Sequence, residues 1–237
     1  MKIGKGHSYY GQDIGVLVNA SESPRVPGDA GHAGSFRYQV RYQITGTSFG
    51  DLVEGSPEAR KKLIKAAQRL KDAGCRGIVA DCGLMSRYQD DVAREVGIPF
   101  VGASLIQIPI VWHMVGCCGT MGIITGHSDL LKEDHLRSSG WSEEIKLAIE
   151  GMQTRAHFNE IVICGEMDLD PARMSAEVVD AALTLRRNEP ELKAIILECS
   201  NLATYSRAVA KATGLPVFDT MSAANLLQYG LCPPAYI

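Results

Sequence analysis

Residues 78–101, IVADCGLMSRYQDDVAREVGIPFV, and residues 195–218, IILECSNLATYSRAVAKATGLPVF, align without a gap at an offset of 117. Seven of the 24 positions are identical: Ile78 with Ile195, Cys82 with Cys199, Tyr88 with Tyr205, Val92 with Val209, Ala93 with Ala210, Gly97 with Gly214 and Pro99 with Pro216. In the same register Asp81 faces Glu198 and Arg94 faces Lys211. Each copy reads as a buried strand, a helix stopped by glycine, and a second strand introduced by proline. Strand–helix–strand with short links implies parallel pairing. The halves also open alike, because Ile14-Gly15-Val16-Leu17 through Ser21 matches Met121-Gly122-Ile123-Ile124 through Ser128. The expected fold is therefore α/β, with two similar doubly wound parallel-sheet (flavodoxin-like) lobes related by a pseudo-twofold axis. Residues 1–105 and 218–237 are expected to form the first lobe, and residues 106–217 the second.

Working outward, Ile14–Val18 and Tyr38–Thr45 read as strands, joined by a long loop from Asn19 to Phe36 that is too long to be idle. Ser56-Pro57-Glu58 is a helix start, with an N-cap hydroxyl, proline in the first turn and an acid beside it. Leu63, Ile64, Ala67 and Leu70 share one face of that helix, which ends at Gly74. Strands are expected at 77–82 and 99–104, with a helix from Arg87 to Val96 between them.

Composition sets the outer limits. The 237 residues carry 24 Lys and Arg against 27 Asp and Glu, a net charge of −3, with 46% apolar residues. No basic block stands out, so neither nucleic acid nor an anionic membrane is an expected partner. Val96 to Ser128 contains no charged residue, but Pro99, Gln107, Pro109, His113 and several glycines break it, which favours a buried core over a membrane span. The first 18 residues lack the apolar core and cleavage site of a signal peptide. Seven cysteines without a regular framework fit free thiols in a reducing cytoplasm.

The chemistry is expected at the two repeat cysteines. Ligands of parallel sheets bind outside the carboxyl ends of the strands. Cys82 and Cys199 each sit at such an end, and a pseudo-twofold brings the ends face to face. Helix N-termini beside the sulfurs are expected to favour thiolate. Two acid–base groups on opposite faces of one carbon are what a racemase or epimerase requires. Asp81 and Glu198 adjoin the cysteines, and strand alternation is expected to turn them to the opposite face. Cys75, Cys117, Cys118, Cys164 (read as lying within a strand) and Cys232 have no such context. No zinc-site spacing occurs among the cysteines and six histidines, so no metal is expected.

Asp81-Cys82-Gly83-Leu84 and Leu197-Glu198-Cys199-Ser200-Asn201 resemble the strand-end cysteines of the aspartate/glutamate racemase superfamily. That group includes hydantoin racemases, maleate isomerases and arylmalonate decarboxylases. The segments 24–32 and 104–109 resemble one subgroup of it. The resemblance implies cofactor-free chemistry with paired cysteine bases. Amino-acid racemases of the group follow the first cysteine with Asn-Thr and the second with Thr-His. Gly83-Leu84 and Ser200-Asn201 stand here instead, and Asn19-Ala20 replaces a strand-end Asp-Ser, which argues against glutamate or aspartate as substrate.

The resulting expectation is a cofactor-independent racemase or epimerase of a small carboxylate-bearing molecule, possible as a homo-oligomer. Cys82 and Cys199 are its acid–base pair, and Asn19, Arg25, Gly83, Leu84, Thr125, Ser200 and Asn201 hold substrate. Arg25 is the candidate partner of a substrate carboxylate. The alternatives are a maleate-type isomerase or a decarboxylase in the same cleft, or a non-catalytic small-ligand-binding protein. Gly46-Thr47-Ser48-Phe49-Gly50 matches the G-x-S-x-G pattern of serine hydrolases. The next helix is expected only near Pro57, which leaves no strand–turn–helix elbow.

Overall fold

In the computed structural model, which describes residues 6, 7, 10–166 and 168–236, the two copies of the repeat fold alike. The first half runs β1 (Ile14–Val18), β2 (Val40–Ile44), α1 (Phe49–Glu54), α2 (Pro57–Asp72), β3 (Gly77–Ala80), α3 (Gln89–Val96) and β4 (Phe100–Val101). The second runs α4 (Ile108–Met114), β5 (Thr120–Thr125), α5 (Glu133–Ser138), β6 (Leu147–Gly151), α6 (Ala156–Phe158), α7 (Pro171–Asn188), β7 (Leu192–Leu197), α8 (Ser206–Thr213) and β8 (Val217–Phe218). Helix α9 (Thr220–Leu231) follows. The sheet orders are β2-β1-β3-β4 and β6-β5-β7-β8, all parallel, so the duplication holds at the level of topology.

The repeat's punctuation works as its chemistry requires. Gly97 and Gly214 both close their helices at φ 69°, the left-handed conformation that glycine adopts without a Cβ penalty. Ser56 caps α2 by accepting the N–H of Ala59. A 3-10 turn follows each repeat cysteine, at Gly83–Tyr88 and Ser200–Tyr205, before the α-helix proper begins.

Two expectations for local structure are corrected. Helix α1 begins at Phe49, well before Pro57, because Ser48 and Asp51 form a reciprocal capping box. The Ser48 hydroxyl of the G-x-S-x-G match therefore caps a helix. Cys164 lies at the exposed end of a π-helical turn, Asn159–Ile163, and not in a strand.

The layers explain the uncharged run. Helices α2 and α3 cover one face of the first sheet, and α7 and α8 cover the corresponding face of the second. The remaining faces are covered by exchange. Leu105, Ile108 and Val111, which leave the first sheet, pack on Met121, Ile123, Ala194 and Ile196 of the second. Ala223 and Ala224 of α9, which leave the second, pack on Ile14, Val16 and Val79 of the first. Phe218 is paired in the second sheet, and the chain passes to the first lobe just beyond it. Among the described residues no helix is long and apolar enough to cross a membrane.

Candidate active site

All strands of a parallel sheet point their carboxyl ends the same way. β1 and β3 thus bring Asn19, Asp81 and Cys82 to one rim, while β5 and β7 bring Thr125, Glu198 and Cys199 to another. A cleft of about 290 Å³ opens between them. Cys82, Cys199, Asn19, Arg25, Gly83, Leu84, Thr125, Ser200 and Asn201 all line it.

The turns that carry the two sulfurs are built in equivalent ways, although the Cys199 thiol alone also donates to Asn201 Oδ1, at 3.6 Å. The N–H of Met85 donates to the Cys82 carbonyl at 2.9 Å, and that of Leu202 to the Cys199 carbonyl at 3.0 Å. The amide of Leu84 points at the Cys82 sulfur and that of Asn201 at the Cys199 sulfur, each favouring thiolate. The expectation of depressed thiol pKa values is nonetheless corrected. Burial outweighs the amides, and neighbouring carboxylates add to it. Cys82 is pushed up to about 12 by burial and by Asp81 and Glu198, with Arg25 opposing. Cys199 is raised well above the ordinary thiol range by burial and Glu198.

The carboxylates also depart from expectation, because Asp81 and Glu198 face the cleft. Their N–H groups still bond to Leu17 and Ile124 in the ladders, but β3 and β7 have already ended. Beyond a strand's end the period-two alternation no longer fixes direction. Asp81 accepts the Asn19 N–H at 2.9 Å and Arg25 Nη2 at 2.8 Å. Glu198 accepts Thr125 Oγ1 at 2.7 Å. Burial lifts each carboxyl to about 6, against the opposing effects of Arg25 on Asp81 and of the Thr125 hydrogen bond on Glu198. The Glu198 carboxyl lies directly against the α-carbon of Gly83, where any Cβ would collide with it. That contact gives a physical reason for glycine after the first cysteine.

The long loop after β1 ties the two rims together. Arg25 binds Asp29 and Asp81, both at 2.8 Å. Asp29, 1% exposed, accepts the Asn201 side-chain amide at 2.8 Å, and Thr204 Oγ1 donates to the Pro27 carbonyl at 3.1 Å. A belt of polar contacts therefore runs from Asn201 through Asp29 and Arg25 to Asp81. Arg25 lines the cleft, but both of its paired carboxylates belong to the protein.

Sequence reasoning missed Asp29, His127, Phe49 and Phe158. Asp29 lies within the loop that carries the family resemblance, which was a usable signal. Phe158 is fully buried behind Gly126, and nothing in its local sequence marks it. Among the described residues no group of three or more His, Cys, Asp or Glu side chains is placed to hold a metal ion.

No family model matches the chain. It is 30% identical over 224 residues to dimethylsulfoniopropionate lyase 7 of Emiliania huxleyi (strain CCMP1516), covering 90% of this chain and 65% of that protein. It is 31% identical over 214 residues to dimethylsulfoniopropionate lyase of Durusdinium sp. clade D, covering 86% and 70%. Among solved structures, unliganded arylmalonate decarboxylase superposes with a TM-score of 0.65 at 15% identity, covering 94% of each chain. Allantoin racemase from Klebsiella pneumoniae superposes at 0.59 and 12% identity, covering 92% of this chain and 87% of that one. The expected racemase or epimerase function, an isomerase, is corrected by relatives that are named lyases. The reason is chemical: a cysteine that takes an α-proton begins both reactions, and the residues around it do not declare the fate of the carbanion. The chain has the two-lobed fold of the aspartate/glutamate racemase superfamily and belongs to the family of the dimethylsulfoniopropionate lyases.

Proposed function

We propose that the protein is a lyase that eliminates a thioether from a small β-sulfonium carboxylate, with dimethylsulfoniopropionate the first substrate to test. The 31% identity to a lyase so named carries this reading, and the pair of sulfurs in one cleft supplies a base for it. In the reaction a thiolate takes the α-proton. The C–H electron pair becomes the new C=C bond, and the C–S pair departs with dimethyl sulfide, leaving acrylate. The leaving group is neutral, so it needs no proton from the enzyme. Elimination therefore calls for one base where racemisation calls for two.

Cys82 is assigned that role, because Arg25 favours its ionisation and, among the described residues, no cation acts comparably on Cys199. Before substrate binds, burial and the neighbouring carboxylates keep Cys82 a thiol. A sulfonium entering beside it adds a positive charge within a few ångströms, which favours thiolate only once substrate is bound. Ser200, at the start of its 3-10 turn, supplies donors for the substrate carboxylate.

The test is direct. Purified protein mixed with dimethylsulfoniopropionate should release dimethyl sulfide into the headspace, measured by gas chromatography, with acrylate formed in equal amount. Absence of both products from folded protein would end this reading.

A further inference from the structure

Among the described residues Glu198 is the buried charge of the cleft without a counter-ion. It is 4% exposed and lines the cleft beside both sulfurs. Its hydrogen-bond donors are the Thr125 hydroxyl and the Gly126 backbone N–H, both neutral. Among the described residues no lysine, arginine or histidine forms an ion pair with it. The repeat sharpens this. Asp81 holds the equivalent position in the first lobe and is neutralised by Arg25 at 2.8 Å. In the register that aligns β1 with β5, Arg25 corresponds to Lys132, which is exposed and outside the cleft. Among the described residues of the lining, Asp81 and Glu198 stand against one guanidinium, that of Arg25, which Asp29 behind it also shares.

A buried carboxylate with only neutral donors is costly unless a cation joins it. We propose that Glu198 is the counter-ion for a fixed positive charge on the ligand. It makes the cleft select onium carboxylates, sulfonium or quaternary ammonium, over carboxylates of the same shape that lack the positive charge. Phe49, exposed in the same lining, offers an aromatic surface to the methyl groups of such a cation. Gly83 lets the carboxylate lie across the cleft next to Cys82. Glu198 is a specificity-determining residue here, and Cys82 remains the base. The inference deepens the lyase reading, but its test needs no turnover.

The experiment is calorimetric titration of the folded protein with 3-(trimethylammonio)propionate and with 4,4-dimethylpentanoate. The two have nearly the same shape and differ in charge, and trimethylamine is a far poorer leaving group than a thioether. The wild type should bind the zwitterionic ligand at least about tenfold more tightly than its carbon isostere, which is an anion. Glu198→Gln should bring that ratio close to one, by weakening the zwitterion and not the anion. Glu198→Asp, which keeps the charge, should retain part of the preference. Equal binding by the wild type, undetectable binding of the zwitterion at millimolar concentration, or an undiminished preference in Glu198→Gln overturns the proposal. A charge preference without dimethyl sulfide release would sink the lyase reading alone. Release of dimethyl sulfide without a charge preference would sink this proposal alone.

Discussion

At the scale of single residues, a carboxyl group raised to about 6 in the folded state destabilises the fold wherever it must ionise. Glu198 has that raised value, whereas an unfolded chain returns it to about 4.5. The folded state therefore holds the proton more tightly between those two values, and stability from this group falls as pH rises through that window. Glu198→Gln should be more stable than wild type at pH 7.5, by about 1–2 kcal/mol or a few degrees in Tm. At pH 4 the difference should nearly vanish, because both side chains are then neutral. Thermal melts at the two pH values check this, and an equal effect at both would contradict it. The sulfurs yield a second prediction. Cys82→Ser should lower kcat by about a hundredfold or more, because a hydroxyl is a far weaker proton acceptor at neutral pH. Cys199→Ser should cost less. With Cys82 up near 12 in the free enzyme, its thiolate fraction grows with pH. kcat/KM should therefore climb from pH 7 to 9 at a slope approaching about one log unit per pH unit. A flat profile over that range would remove Cys82 as the base.

Among the elements, the loop 19–36 is the one whose docking the site depends on. Gly28 sits at φ 109°, and a Cβ there would lie 2.5 Å from the Thr204 α-carbon. Gly28→Ala therefore adds both backbone strain and a clash with main chain, an expected loss of about 2–4 kcal/mol from loop docking. The loop should become cleavable by protease under native conditions while the far-ultraviolet circular dichroism stays nearly unchanged. Unaltered proteolysis would show that the loop is not held through Thr204. The elements also mark how far the sequence could be read. β1, the start of α2 and the doubled strand–helix–strand were legible because glycine, proline and cap residues act through local sterics. Helix α1 was not, because six residues are too few to display an apolar period and its start depends on a two-residue capping box. Cys82 and Cys199 were legible through their repeat register. The inward turn of Asp81 and Glu198 was not, because it depends on where β3 and β7 stop and on a glycine facing the second carboxylate across the cleft. The fate of the carbanion left no signature in either cysteine motif.

For the whole molecule, the exchange of covering segments makes each lobe incomplete without chain from beyond the other. Ser104 Oγ also donates to the Leu197 carbonyl at 2.8 Å, and Gln107 Nε2 to the Asp219 carbonyl at 3.0 Å, both buried. Shared packing and shared buried hydrogen bonds make the lobes one thermodynamic unit. Calorimetry should give a single transition with matching calorimetric and van't Hoff enthalpies. Truncation before α9 should uncover Ile14, Val16 and Val79 and abolish folding of the first lobe, since each newly exposed side chain costs about 1.5–3 kcal/mol. Two resolved transitions in the intact protein would contradict this account.

The placement of Cys82 and Cys199 on facing rims also bears on the handedness of the reaction. The α-carbon of a β-sulfonium propionate is prochiral, with two hydrogens that only a chiral surrounding can tell apart. A base on the first rim reaches one of them, and a base on the second rim reaches the other. With Cys82 alone removing the proton, a substrate carrying deuterium at one defined α-position should give acrylate that keeps or loses the label almost completely, never a mixture. The mirror-labelled substrate should give the opposite result, and mass spectrometry of the two acrylates would read out which rim holds the working sulfur.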